Sequence, residues 1–298
     1  VTSWFDRLRD PSEKTLGVIL LAPAFALLAL IVVYPIGKLF YNSFFDMRLS
    51  GGQGSKWVGW QNYADMIKDG AFWEATWNTV LITVVTVPGA LLVGLGLALL
   101  ANLPFKRQWP VRLALLLPWA LPLAFAGLIW AWFFHTEYGF INDVWMRFGG
   151  EPRMWLLSPV SAFTAICIAI IWKSSSFMAL ILLAGLQMIP KSLYEAAEVD
   201  GASRWQQFWQ ITIPMLMPSI VVALIFRTIT ALQTFDIPYT MTKGGPGNAT
   251  ETLAMYIHKT TIDYLDVGFG STLAVGMFVL SLILTAVYLR HISRQESA

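Results

Sequence analysis

Six stretches of this 298-residue chain are each apolar and long enough to cross a lipid bilayer: roughly 16–36, 79–103, 113–134, 160–186, 215–235 and 270–289. The hydrocarbon core takes about 20 mostly apolar residues of helix. Inside it every backbone amide and carbonyl needs a protein partner, which leaves only helices and closed barrels. The runs are continuous rather than alternating in twos, which excludes a barrel, so an all-α membrane protein with six transmembrane helices is expected. Composition agrees: 13% of residues are charged and 56% hydrophobic, whereas soluble domains carry about 25% charged residues. The first run is too long for the apolar region of a signal peptide and has no small-residue cleavage site before Tyr34-Pro35, so its retention is expected. Pro23, Pro88, Pro118 and Pro122 lie inside the runs, where neighbouring helices can satisfy the carbonyls they free.

Lysine and arginine in the connecting segments set the expected orientation. With the N-terminus cytoplasmic, the inner segments hold Arg7, Arg9, Lys14, Lys106, Arg107, Arg112, Lys191, Arg204, Arg290 and Arg294. They are denser there than in the longer outer segments, and the short "PFKRQWPVR" turn at 104–112 carries most of the bias. An even number of spans then places both termini inside. The outer tryptophans Trp57, Trp60, Trp73 and Trp77 suit an interfacial belt.

One polar island interrupts the apolar pattern. Residues 191–214, "KSLYEAAEVDGASRWQQFWQITIP", follow Pro190 and carry Glu195, Glu198, Asp200 and Arg204. Ser192 stands three residues before Glu195, and Ser203 three before Gln206, both in the spacing of a capping box. Gly201 lies between them, where a left-handed turn is easily made. The spacing predicts a capped helix–turn–helix on the cytoplasmic face, its second helix running to Pro214. Such a hairpin either lies on lipid headgroups or docks on another protein.

The hairpin also reads Glu195-Ala196-Ala197, three residues, Gly201, nine residues, then Ile211-Thr212-Ile213-Pro214. This resembles the EAA signature of permease subunits in binding-protein-dependent ABC importers, with Ile213 where the pattern has leucine. "LLAPAFALLALIVVYPIGKLFYNSF" (20–44), "WVGWQNYADMI" (57–67), "LLLPWALP" (115–122) and "FDIPYTMTKGGPGNATETL" (235–253) are similar to the maltose- and trehalose-type sugar importers. The resemblance implies the type I ABC importer permease fold and a bacterial-type inner membrane location. Implied partners are a second homologous permease, two ATP-binding subunits that carry the ATP and magnesium, and an extracytoplasmic sugar-binding protein. The hairpin would be the coupling helix. Glu195 would face the ATPase, Ala196 and Ala197 would allow close approach, Gly201 would make the turn, and Asp200 and Ala202 would flank it.

Two cations fall near mid-span, Lys173 and Arg227. Charge is expensive there, so they are expected to face a cavity or the acidic groups of a partner subunit. Thr230, Ala231 and Thr234 follow Arg227 on one predicted helical face, and Ser174 and Phe177 follow Lys173. Hydroxyls beside an aromatic ring suit a sugar. By the resemblance, Lys173, Ser174, Phe177, Arg227, Thr230, Ala231 and Thr234 line the substrate pathway. The cationic pair also suits an anionic cargo such as glycerol-3-phosphate, and an importer of glycerol-3-phosphate or of a polyol, sharing this architecture, is the alternative within the class.

No catalytic or cofactor chemistry is expected. "TKGGPGNAT" at 242–250 lacks the lysine of a phosphate loop, and Cys167 is the single cysteine. His135, His258 and His291 are scattered, and a near-neutral net charge of +2 gives no sign of nucleic acid. A secondary transporter driven by an ion gradient is the alternative of a different class. Such proteins use membrane-embedded carboxylates, and the six runs hold none centrally.

Overall fold

The computed structural model describes residues 13–49, 54–104 and 109–295. Arg7, Arg9, Lys106 and Arg107, on which part of the orientation argument rests, lie outside these residues. Among the described residues five helices are long and apolar enough to cross a membrane, and six if one sharply bent pair counts as a single span. The described residues form two compact units.

The first unit holds the residues up to Lys68 together with Thr260–Gly276. Helix α1 (Glu13–Leu28) continues through a π-helical stretch, Ala29–Val33, into α2 (Tyr34–Asn42). The apolar window of this helix buries no residue, so its surface is matched to lipid or to another chain rather than to water. After it, β1 (Phe45–Asp46) pairs antiparallel with β2 (Lys56–Trp57), and α3 (Gln61–Lys68) follows. Ser43 organises this corner. Its hydroxyl bonds Phe40 O and Tyr63 Oη, and its carbonyl accepts from Asn62 Nδ2 and Thr272 Oγ1. Trp57 and Trp60 are exposed here, as are Trp73 and Trp77 in the other unit.

The second unit spans Asp69–Lys259 and resumes at Met277. Its centre is α4 (Gly70–Asn102) packed along α8 (Pro159–Met188), with α11 (Ile213–Leu232) against both. Neither long helix has an apolar stripe, as expected where one side meets protein and the other lipid. They approach closely at Gly94: a Cβ there would lie 2.7 Å from Met178 Cβ and 3.0 Å from Ser175 O. Gly94→Leu should therefore wedge the helices apart, costing roughly 1–3 kcal/mol or more. That is read as a lower melting midpoint of the detergent-purified protein, and an unchanged midpoint would refute this packing. Around the central pair lie α5 (Trp109–Ala120), α6 (Leu123–Phe133), α7 (Phe140–Arg147), α12 (Asp236–Thr242) and α13 (Leu253–His258). The last helix, α14 (Val267–Gln295), follows a π-helical stretch at Lys259–Asp263.

Three sequence expectations are corrected here. The third span is not one helix: α5 and α6 meet at 95° across Leu121-Pro122. Proline lacks an amide hydrogen and bars the residue before it from helical backbone, so the ladder ends at Ala120. The helix of the fifth span does not start near 215. The helix runs from Arg204 to Leu232, with Pro214 and Pro218 inside it, and a π-helical stretch at Phe208–Thr212. It also stops before 235, so Thr234 lies beyond its C-cap, Gln233.

Candidate functional site

The broken third span frees carbonyls at the end of α5, and one side chain collects them. Lys173 Nζ, on α8, donates to Pro118 O at 2.7 Å, to Trp119 O at 2.6 Å and to Leu121 O at 2.6 Å. An ammonium has three donors, and all three are used. The residue is only 6% exposed. Its charge also opposes the negative carboxyl-terminal end of the α5 dipole. Lys173 is thus satisfied within its own chain, by backbone rather than by an acidic side chain.

Beside this break opens a cavity of about 520 Å³, within the range of small-molecule sites. Lys173, Ser174 and Phe177 of α8 line it, with Arg227 and Thr230 of α11 and the following Thr234. Six of the seven expected pathway residues are therefore brought together. Ala231 is the exception. It is fully buried and absent from the wall, because the face that presents Arg227 and Thr230 turns Ala231 into the packing. The rest of the wall includes Trp119, the break residues Leu121–Leu123, Phe226, Gln233, Phe235 and Asp236. Trp119 and Phe177 stack with centroids 6.3 Å apart and planes 19° from parallel. Thr252 Oγ1 holds the Thr234 carbonyl at 2.7 Å, fixing the segment after α11.

Arg227 is 6% exposed and touches only neutral groups: Nη2 donates to Thr86 Oγ1 at 3.1 Å and Nη1 to Thr230 Oγ1 at 3.3 Å. Its Nε has no acceptor. It belongs to none of the ion pairs among the described residues. Asp236 is the one acidic side chain on the wall and pairs with neither cation. Among the described residues no cluster of three His, Cys, Asp or Glu could hold a metal ion.

At the far end of the fifth span lies the hairpin. Helix α9 (Lys191–Val199) is capped by Pro190, not by Ser192. The helix begins at Lys191, which puts Ser192 inside the first turn, where the expected box with Glu195 cannot form. The turn is a Schellman motif: Gly201 N donates to Glu198 O at 3.1 Å and Ala202 N to Ala197 O at 2.9 Å. Gly201 has φ +76°, the left-handed region that glycine enters freely. The second capping box does form. Ser203 Oγ accepts from Gln206 N, while Gln206 Oε1 accepts from Ser203 N at 2.8 Å. Helix α10 (Arg204–Gln207) then passes into the π-helical stretch and α11 without a break. Tyr194 Oη meets Thr212 Oγ1 at 2.9 Å and ties the two arms. Glu195, Ala196, Asp200 and Gly201 are exposed, Ala197 and Ala202 partly so. Val199, 89% exposed, stands at the tip.

Residues 90–296 match the family described as binding-protein-dependent transport system inner membrane component. The chain belongs to this family. Along 97% of its length the permease is 64% identical to the sulfoquinovosyl glycerol transport system permease protein SmoG of Agrobacterium fabrum, covering 94% of that protein. It is 38% identical to the trehalose/maltose transport system permease protein MalF of Thermococcus litoralis, over 93% of this chain and 94% of that one. In fold it is similar to a bacterial ABC transporter involved in the import of the acidic polysaccharide alginate. That likeness has a TM-score of 0.83 at 22% identity and covers 98% of both chains. The permease is accordingly a multi-pass protein of the inner membrane, with the type I ABC importer fold.

Some of the permease's cavity wall was missed from sequence. The residues across the break, Trp119 and Leu121–Leu123, carried one usable signal. Pro118 and Pro122, four apart in an apolar run, mark a place where backbone groups are released and irregular chain lines a cavity.

Proposed function

We propose that this permease forms half of the translocation pathway of an ATP-driven sugar importer and is coupled to a cytoplasmic ATPase through residues 191–214. The partners are a second homologous permease, two ATP-binding subunits and an extracytoplasmic binding protein. ATP and magnesium belong to the ATPase subunits, and the chemistry of hydrolysis is theirs. The hairpin and both termini face the cytoplasm in this reading, which the distribution of Lys and Arg supports.

One observation carries the proposal: the second arm of the exposed hairpin and the wall that holds Arg227 and Thr230 are a single helix, Arg204–Leu232. At about 1.5 Å per residue, the docking end and Arg227 are roughly 35 Å apart along one rod. A push or rotation at Glu195–Ala202 therefore reaches the cavity wall directly. The π-helical stretch at Phe208–Thr212 is where such a rod can change its winding.

The cargo is a sugar. Stacked rings and hydroxyls supply its apolar and polar contacts: Trp119, Phe177 and Phe226 on one hand, Ser174, Thr230 and Thr234 on the other. Sulfoquinovosyl glycerol, named for the 64% identical relative, is the first candidate, and trehalose or maltose the second. The test is uptake of labelled sugars into proteoliposomes holding the permease with its partner subunits and binding protein. ATP-dependent uptake that disappears when the ATPase subunits are omitted is expected. Uptake by this chain alone, driven by a proton or sodium gradient, would establish a secondary transporter instead.

A further inference from the structure

We infer that the cavity receives an anionic group of the cargo, with Arg227 and the amino-terminal end of α6 as the elements that select an acidic sugar over a neutral one. The inference rests on the permease reading above and narrows its substrate class.

The charges on the wall do not balance. Lys173 and Arg227 face one carboxylate, Asp236. Lys173 is spent on the three carbonyls at the end of α5. Arg227 is held only by the hydroxyls of Thr86 and Thr230, and its Nε has no acceptor. A guanidinium this deeply withdrawn from water is costly unless a counter-charge completes it. An acidic residue of a partner subunit is a poor fit for that role. At 6% exposure Arg227 is covered by its own chain, so a partner's carboxylate would have to enter the cavity to reach it.

The broken span adds a second positive element. Lys173 neutralises the carboxyl-terminal end of α5, but α6 begins at Leu123 with no side-chain cap. The first amide with a helical partner is that of Ala126, which donates to Pro122 O. The amides before it, and the positive end of an 11-residue helix, adjoin the cavity at Leu121–Leu123. A helix amino terminus and a planar guanidinium fork are both suited to an oxoanion with several acceptor oxygens. A neutral disaccharide can accept hydrogen bonds from both but brings no counter-charge to either. The acid is thus a sulfonate, carboxylate or phosphate on a sugar, and its ring has Trp119, Phe177 and Phe226 to lie against.

Equilibrium binding to the detergent-purified importer, without its binding protein, tests this independently of transport. The probes are labelled sulfoquinovosyl glycerol and its uncharged counterpart, glucosyl glycerol. Wild type should hold the sulfonated probe at least about tenfold more tightly, from charge-assisted hydrogen bonds. Arg227→Met should abolish that preference while changing affinity for the neutral probe less than about threefold. Arg227→Lys should restore part of the preference, because charge returns without the fork. Equal affinity of wild type for the two probes, or an undiminished preference in Arg227→Met, would overturn the inference. So would loss of permease pairing in Arg227→Met that Arg227→Lys repairs, since that assigns the charge to the partner subunit. Failure of the importer reading is distinguished by absent ATP-dependent uptake of any sugar, a separate measurement.

Discussion

Gly201→Asp should abolish ATP-driven uptake while the amount of membrane-inserted, assembled protein stays near wild type. The backbone at Gly201 is left-handed, φ +76°, and a Cβ added there meets nothing within 4 Å. Strain is therefore the only internal cost. For L-residues it is on the order of 1–2 kcal/mol, and aspartate is among those that bear it best. The folded hairpin survives this, because the Schellman bonds to Glu198 and Ala197 are made by backbone amides that the substitution keeps. What changes is the exposed surface between Asp200 and Ala202, which gains bulk and a second adjacent negative charge. In the proposed coupling role this is the centre of a docking contact. Losing a hot spot costs on the order of 2–4 kcal/mol, or roughly 100-fold in coupled transport. Gly201→Ala separates the two effects, since it adds the strain with little bulk and no charge, and should retain most transport. The comparison is uptake in proteoliposomes at equal protein, with co-purification of the ATPase as a second readout. If Gly201→Asp transports normally, the docking assignment is wrong. If Gly201→Ala fails equally, the turn itself is what matters.

Lys173→Met should be the most destabilising single change near the cavity. The methionine matches the length of the lysine stem and removes only the ammonium. Three carbonyls, of Pro118, Trp119 and Leu121, then lose their shared donor where lipid-facing helices offer little replacement. Each unsatisfied buried group costs about 1–3 kcal/mol. Together they exceed what a marginally stable membrane domain tolerates comfortably, so a large drop in melting midpoint is expected. Protease cleavage near 118–123 should rise as well. Lys173→Arg should recover little, because a planar fork cannot converge three donors on one cluster of carbonyls as a tetrahedral ammonium does. Normal stability of Lys173→Met would show that water or another donor already serves the break. A selective change in sugar affinity at normal stability would return Lys173 to the role of substrate ligand.

Lys173 shows how far the sequence could be read. Its position in an apolar run is enough to state that the charge needs a partner, and that partner could be a cavity, a sugar or another subunit. The acceptors turned out to be carbonyls 52 to 55 residues away, released by a break that the prolines hinted at but did not locate. Arg227 is the converse case. Its expected neighbour Thr230 is there, one turn away on the same helix. Thr86, from α4, was not foreseeable, since nothing local links it to Arg227.

The hairpin divides along the same line. Its turn at Gly201 and its second cap at Ser203 are local, decided within a few residues by backbone geometry and side-chain reach. The failed cap at Ser192 shows what local reasoning misses, because Pro190 starts α9 earlier than the serine signal would.

By itself the sequence determined that the chain is helical and membrane-spanning, where a polar hairpin interrupts it, and which family signature that hairpin carries. Those features depend on transfer free energy and on interactions within a turn or two. Only the tertiary structure decided that the third span is broken, that Lys173 closes the break, and that Ala231 faces the core while Arg227 faces the cavity. Those depend on which helices approach one another, and a close crossing such as Gly94 against Ser175 and Met178 restricts how the two helices can turn against each other. Apolarity all round these helices leaves that rotation unspecified, because lipid and protein interior are nearly equivalent solvents for the same side chains.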